Sequence, residues 1–230
     1  MIERLNQNNF KSVSVVKNES FEDFKNYITD KGLHINCFYI NPEECYINRT
    51  WYIEDYITIP IFMLSKEYID MMRLVEMVDF RRRTMKKLIM KQDYIGIFAF
   101  IENSFKISYF LDLYTELEDS KFLELFKFVY SSCEYDFHWI LKTDIVKRIE
   151  ETRNIENIKE ELHTKYNIEE DIITIYRGEA DKSTHFKDGA ISWTLDCDIA
   201  SFFANRFNAQ NPKIYKAKVK VEDILYATLL

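Results

Sequence analysis

The chain has 230 residues, of which 47% are hydrophobic, and a net charge of −7 at pH 7. That length holds one large domain or two small ones, and the acidic balance excludes a polycation built throughout to grip nucleic acid, leaving only local basic patches. With 4 Gly and 3 Pro there are few tight turns, so helices should dominate over hairpin-rich β structure.

The four cysteines, Cys37, Cys45, Cys133 and Cys197, form no C-x-x-C pair, which argues against structural zinc and implies no disulfide framework. No apolar run reaches membrane-spanning length, and residues 1–16 lack the apolar stretch of a signal peptide. The expectation is a soluble protein in a reducing, cytoplasmic setting, with no membrane partner and no metal.

In chain order, residues 12–16 and 33–40 read as strands, and Asn41-Pro42 as a turn. Residues 21–27 read as a short helix capped by Ser20. Residues 51–64 are apolar and β-leaning, broken by Pro60. At Ser65, a good N-cap, the period changes. Tyr68, Met71, Met72, Val75, Val78, Met85 and Ile89 recur at three- and four-residue steps and predict one long amphipathic helix to about Lys91. Residues 94–114 fit a buried helix or strands equally well. Ser120 caps a helix over 121–133, another runs over 135–148, and a polar helix covers 155–166.

Short strands follow at 172–176, ending at Arg177-Gly178, and at 190–194; a helix follows at 198–207. Over 214–221, Ile214, Tyr215, Ala217, Val219 and Val221 alternate with Lys216, Lys218 and Lys220, which predicts a strand with one buried and one wet face.

The ordered set Tyr176-Arg177-Gly178, Ser192-Trp193-Thr194, the helix with Phe202-Phe203, and the alternating strand resembles the ADP-ribosyltransferase family of the arginine–serine–glutamate type. The resemblance implies an α+β fold. Residues 1–64 would be an appended α/β element that covers the cleft, binds a partner or recognises the target. Residues 65–230 would be the transferase domain, with a helical lobe over 65–170 and a split, NAD-binding β core over 171–230.

The resemblance also implies NAD as substrate and a protein or RNA as target. Arg177 would anchor the diphosphate, since its rigid fork of donors suits phosphate and ribose oxygens. Gly178 would let backbone approach the nicotinamide amide. Ser192 and Thr194 match the family's hydroxyl motif, and Tyr176, Phe203 and Phe207 would line the NAD site. The family's glutamate is expected beyond Leu230; Glu222 and Asp223 come too early to match it.

An intracellular toxin, with an antitoxin protein as partner and a role in toxin–antitoxin or antiviral defence, is the kind of transferase this implies. Two rival functions are an NAD glycohydrolase that depletes NAD and an inactive transferase that serves as a binding module. No glycine-rich Rossmann or P-loop motif is present, so NAD would sit in the transferase cleft.

Elsewhere, Arg81-Arg82-Arg83 with Lys86, Lys87 and Lys91 makes a basic cluster. It reads most simply as a solvated helix face whose charges suit the helix C-terminus; its functional reading is a contact to RNA or an acidic partner. Arg82 falls on the apolar stripe, placed to pair with an acid. His185 lies between Arg177 and Ser192 in sequence and reads as a loop residue, and His138 as a packed helix residue.

Overall fold

The structure is a computed structural model that describes residues 10–13, 19–41, 50–133, 144–181 and 191–225; of the side chains in those ranges, those of residues 19–21 and 207 are not described. Contacts divide the chain into two units, Met1–Cys133 and Glu134–Leu230.

The first unit is built on a four-stranded antiparallel sheet in the order β1 (Lys11–Ser12), β2 (Phe38–Ile40), β3 (Thr50–Glu54), β4 (Ile57–Ile61). The chain reverses between β3 and β4 at Asp55, whose φ of 48° is a conformation that Asp tolerates. The break expected at Pro60 does not occur. Pro60 pairs with Trp51 inside β4, an edge strand where a missing N–H costs no ladder bond.

Both faces of β3 are covered. Tyr52 and Phe38 meet edge to face, and Phe24 of α1 (Glu19–Asp30) packs on Phe38. On the opposite face Trp51 meets Phe105 of α5 (Asn103–Leu113). Helix α1 begins earlier than expected and includes Ser20, so Ser20 is not its cap. In the segment 33–40 the first half is a short 3-10 turn, Ile35–Cys37, and only Phe38–Ile40 is strand.

Ser65 caps as expected, its hydroxyl accepting from the Tyr68 N–H at 3.2 Å. The single long helix is instead two, α2 (Lys66–Met71) and α3 (Leu74–Met90), separated at Arg73 with φ 54°. The buried positions explain the break. Ile69 and Leu74 both enter the core, and five residues of unbroken helix would turn them about 140° apart. One left-handed residue resets the phase.

The ambiguous stretch over 94–114 is helical: α4 (Tyr94–Ala99), capped by Asp93, then α5. Phe105, Lys106, Ile107, Tyr109, Phe110 and Leu111 are all buried, and a narrow row, Ser104, Ser108 and Asp112, turns outward, so the apolar run hides the helical period. Helix α6 (Asp119–Ser132) starts one turn position before the expected Ser120 cap, and Phe110, Phe122 and Phe126 stack between α5 and α6.

Arg81 donates to the carbonyls of Thr58 at 2.7 Å and Phe100 at 3.3 Å. Arg82 makes a two-pronged ion pair with Glu54, at 2.8 Å and 2.7 Å, and the Tyr52 hydroxyl donates to the same carboxylate. The basic cluster therefore splits. Arg81 and Arg82 hold helix to sheet, while Arg83, Lys86, Lys87 and Lys91 are exposed. The boundary expected at 64/65 likewise does not match the contacts, because α2 to α6 belong with the sheet.

Burial works against the Glu54 charge, but the hydrogen bonds from Arg82 and Tyr52 outweigh it and hold the carboxyl below its ordinary range. A depressed acid contributes stability that is present above its unfolded value and lost as pH falls through its folded value. Unfolding free energy should therefore begin to drop as pH falls past the ordinary Glu value of about 4.3 and go on dropping below it. Urea titrations of Glu54→Gln over that range should show a shallower drop; an identical drop would remove Glu54 as its source.

The second unit contains α7 (Ile145–Thr152), α8 (Ile155–Tyr166), β5 (Ile172–Glu179), α9 (Cys197–Asn205) and β6 (Lys213–Lys220). Helix α8 has the expected bounds. Asn154 caps it by accepting from the N–H groups of Glu156 and Asn157, and Asn167 ends it with φ 53°. Ile158 and Leu162 of α8 pack on Ile173 and Val221 to form the core.

Strands β5 and β6 pair antiparallel over their whole length, from Ile172 opposite Lys220 to Glu179 opposite Lys213. β5 does not end at Arg177-Gly178 but continues to Glu179. Of the strand expected over 190–194, the described residues keep one bridge, Thr194 to Tyr176. The helix expected over 198–207 ends at Asn205 and passes into a 3-10 turn, Arg206–Asn208. The observed class is α+β. Among the described residues no helix is long and apolar enough to cross a membrane.

Candidate functional site

Strand geometry sorts the site residues first. Alternation puts Arg177 and Glu179 on the face of β5 that carries Ile173 and Ile175, and Tyr176 and Gly178 on the other. The aliphatic members of the first face build the core of the second unit. Its last two residues are charged and still buried, with side chains 9% and 6% exposed.

Their burial is compensated by pairing. The Arg177 Nε–H donates to Glu179 Oε1 at 2.9 Å. Its Nη1 donates to the Ser192 carbonyl at 2.7 Å and to Ser192 Oγ at 3.1 Å. Arg177 thus ties β5 to the segment that carries Ser192. A second tie lies alongside. Tyr176 and Thr194 exchange both backbone hydrogen bonds, at 2.7 Å and 2.8 Å. Between them these contacts fix Ser192 at both its backbone and its hydroxyl.

Gly178 has a packing role. A Cβ there would lie 1.8 Å from the Ala200 carbonyl oxygen and 2.6 Å from the Ala204 nitrogen. Helix α9 occupies that space, and Ala200 and Ala204 are fully buried beneath it. The missing side chain admits the helix on that face of β5.

Thr194 also serves local structure. Its hydroxyl accepts from the Asp196 N–H at 3.1 Å, and Asp196 in turn caps α9 by accepting from Asp198 and Ile199. Phe203 meets Phe202 edge to face, and the Arg206 guanidinium lies 5.1 Å above the Phe203 ring. The side chain of Phe207 lies outside the described residues, as do His138 and His185. Glu222 is exposed and paired with Lys220 at 2.9 Å, which holds its carboxyl below the ordinary range.

The structure therefore brings Arg177 and Ser192 into one hydrogen-bonded group and adds Glu179, which sequence reasoning passed over. The signal for Glu179 was available: two residues after Arg177 on a strand, it must share the same face. Ending the strand at Gly178 concealed it. Tyr176, Gly178 and Thr194 sit close in the backbone but serve the other face and the entry to α9. Among the described residues no group of three or more His, Cys, Asp or Glu could hold a metal ion. Comparison of the chain with protein-family models, with curated proteins and with solved structures finds no match.

Proposed function

We propose that the chain is an NAD-dependent mono-ADP-ribosyltransferase of the intracellular toxin kind, acting in the cytoplasm and restrained by a neutralising protein partner. The observation that carries this reading is the arginine–serine link, from the buried Arg177 to Ser192 across two neighbouring segments, in the sequence order of the family pattern.

The chemistry suits such a group. Nicotinamide leaves NAD as a neutral base, so the leaving group needs no acid, and the transition state at the ribose is oxocarbenium-like. What the protein must supply is a fixed ribose and diphosphate and a carboxylate for the developing cation. Arg177, held by Glu179, presents the Ser192 hydroxyl in one orientation, which is what a preorganised ribose contact needs. In this reading Glu179 positions Arg177. By the family pattern the carboxylate for the cation is a glutamate expected beyond Leu230, and the activity test below is made on a chain that includes it.

The test uses NAD labelled in its adenylate half, offered with protein and RNA pools. The expected result is label on a macromolecule, and a drop of about a hundredfold in Ser192→Ala. Ser192→Ala is chosen because it leaves the Arg177–Glu179 pair intact. Turnover that is unchanged in this variant removes the site assignment, and free ADP-ribose with no labelled macromolecule replaces the transferase with a glycohydrolase.

A further inference from the structure

The face of the β5–β6 ladder that bears Tyr176 also carries a row of cations. Lys216, Lys218 and Lys220 are all exposed, while Tyr215, Ala217 and Val219 turn to the half-buried side. The register sets Lys216 beside Tyr176, Lys218 beside Thr174 and Lys220 beside Ile172. Thr194 extends the Tyr176 row on the far side of β5. None of these neighbours is acidic. Lys220 is paired with Glu222, but among the described residues neither Lys216 nor Lys218 has a carboxylate within ion-pairing distance. The Lys216 Nζ lies 5.7 Å from the centre of the Tyr176 ring.

We propose that this face is a docking strip for single-stranded nucleic acid. Resting on the transferase reading above, nucleic acid is then the macromolecule that receives ADP-ribose. Side chains two apart on a strand repeat every 6.6–6.8 Å or so. A regular row of cations suits a polymer with one negative charge in every unit, whereas the carboxylates of a folded acidic protein carry no such repeat. Tyr176 adds an aromatic surface within the row, and a single strand has unstacked bases to lay on it. On a chain whose net charge is −7, this attraction is local rather than a property of the whole surface.

The test is fluorescence anisotropy of the full chain with a labelled mixed-sequence RNA of about 20 nucleotides, without NAD, over a range of salt. The Lys216→Gln/Lys218→Gln double variant should bind at least about tenfold more weakly. The slope of log affinity against log salt should fall in magnitude by about 1.4, the value for two lost phosphate contacts on a single strand. Lys147→Gln/Lys159→Gln, two exposed lysines on α7 and α8, should bind as the parent does. Circular dichroism melts confirm that both variants fold.

The strip is overturned if the parent chain does not bind the RNA, if the first double variant keeps its affinity and slope, or if polyglutamate displaces the RNA as well as unlabelled RNA does. The two readings fail separately. RNA binding through these lysines with no NAD turnover keeps the strip and removes the transferase. NAD turnover with no RNA binding does the reverse.

Discussion

Gly178→Ala should destabilise the second unit by about 3 kcal/mol or more, at the upper end of overpacking effects. The added Cβ would sit 1.8 Å from the Ala200 carbonyl oxygen and 2.6 Å from the Ala204 nitrogen. Both are backbone atoms of α9, so no rotamer change relieves the clash and the helix must lift as a whole. Ala200 and Ala204, fully buried on the same contact, would then face a gap. Gly96 is the control. A Cβ there meets the ends of the Asp93 and Leu88 side chains at 2.8 Å; Leu88 can swing away, and moving Asp93 costs at most its cap on α4, about 1 kcal/mol. Gly96→Ala should therefore cost far less. Urea unfolding followed by circular dichroism compares the two; equal midpoints would mean that α9 is not seated on Gly178 as described. The effect should reach the site, because the segment from Ser192 to Asp196 leads directly into the displaced helix.

Where a local signal and a buried face agree, the elements were legible. Helix α8 has both an amphipathic stripe and polar ends, and its bounds match. β6 announces itself through three lysines alternating with inward residues. Ser65 is a cap in sequence and in structure. The misses come from distant partners. Arg73 breaks a helix whose period looks continuous, because the core needs Ile69 and Leu74 on one side. Helix α5 shows its period poorly because most of its surface is buried and its outward row is only one residue wide. The switch from strand to helix at 64/65 looks like a domain boundary, yet Trp51 packs on Phe105 and Arg82 pairs with Glu54, 28 residues away. At the site, motif order was enough to nominate Arg177 and Ser192. It could not reveal that Gly178 faces a helix, because that depends on where α9 comes to rest.

The second large effect is expected at the ion pair. Arg177→Ala should cost about 3–5 kcal/mol, because it strips the guanidinium from a carboxylate whose side chain is only 6% exposed. Arg177→Met/Glu179→Met should recover much of that loss, since an apolar pair of similar length avoids desolvating either charge. The double variant should thus be more stable than the sum of the single changes allows, the signature of directly coupled residues. Stability and chemistry then separate. The methionine pair restores packing on β5 but offers Ser192 no donor in place of Arg177 Nη1. Its NAD turnover should remain as low as that of Arg177→Ala. A stable double variant with parental turnover would show that Arg177 serves the fold alone. Low turnover in a fully stable protein would show that the orientation of Ser192 is what the buried pair maintains.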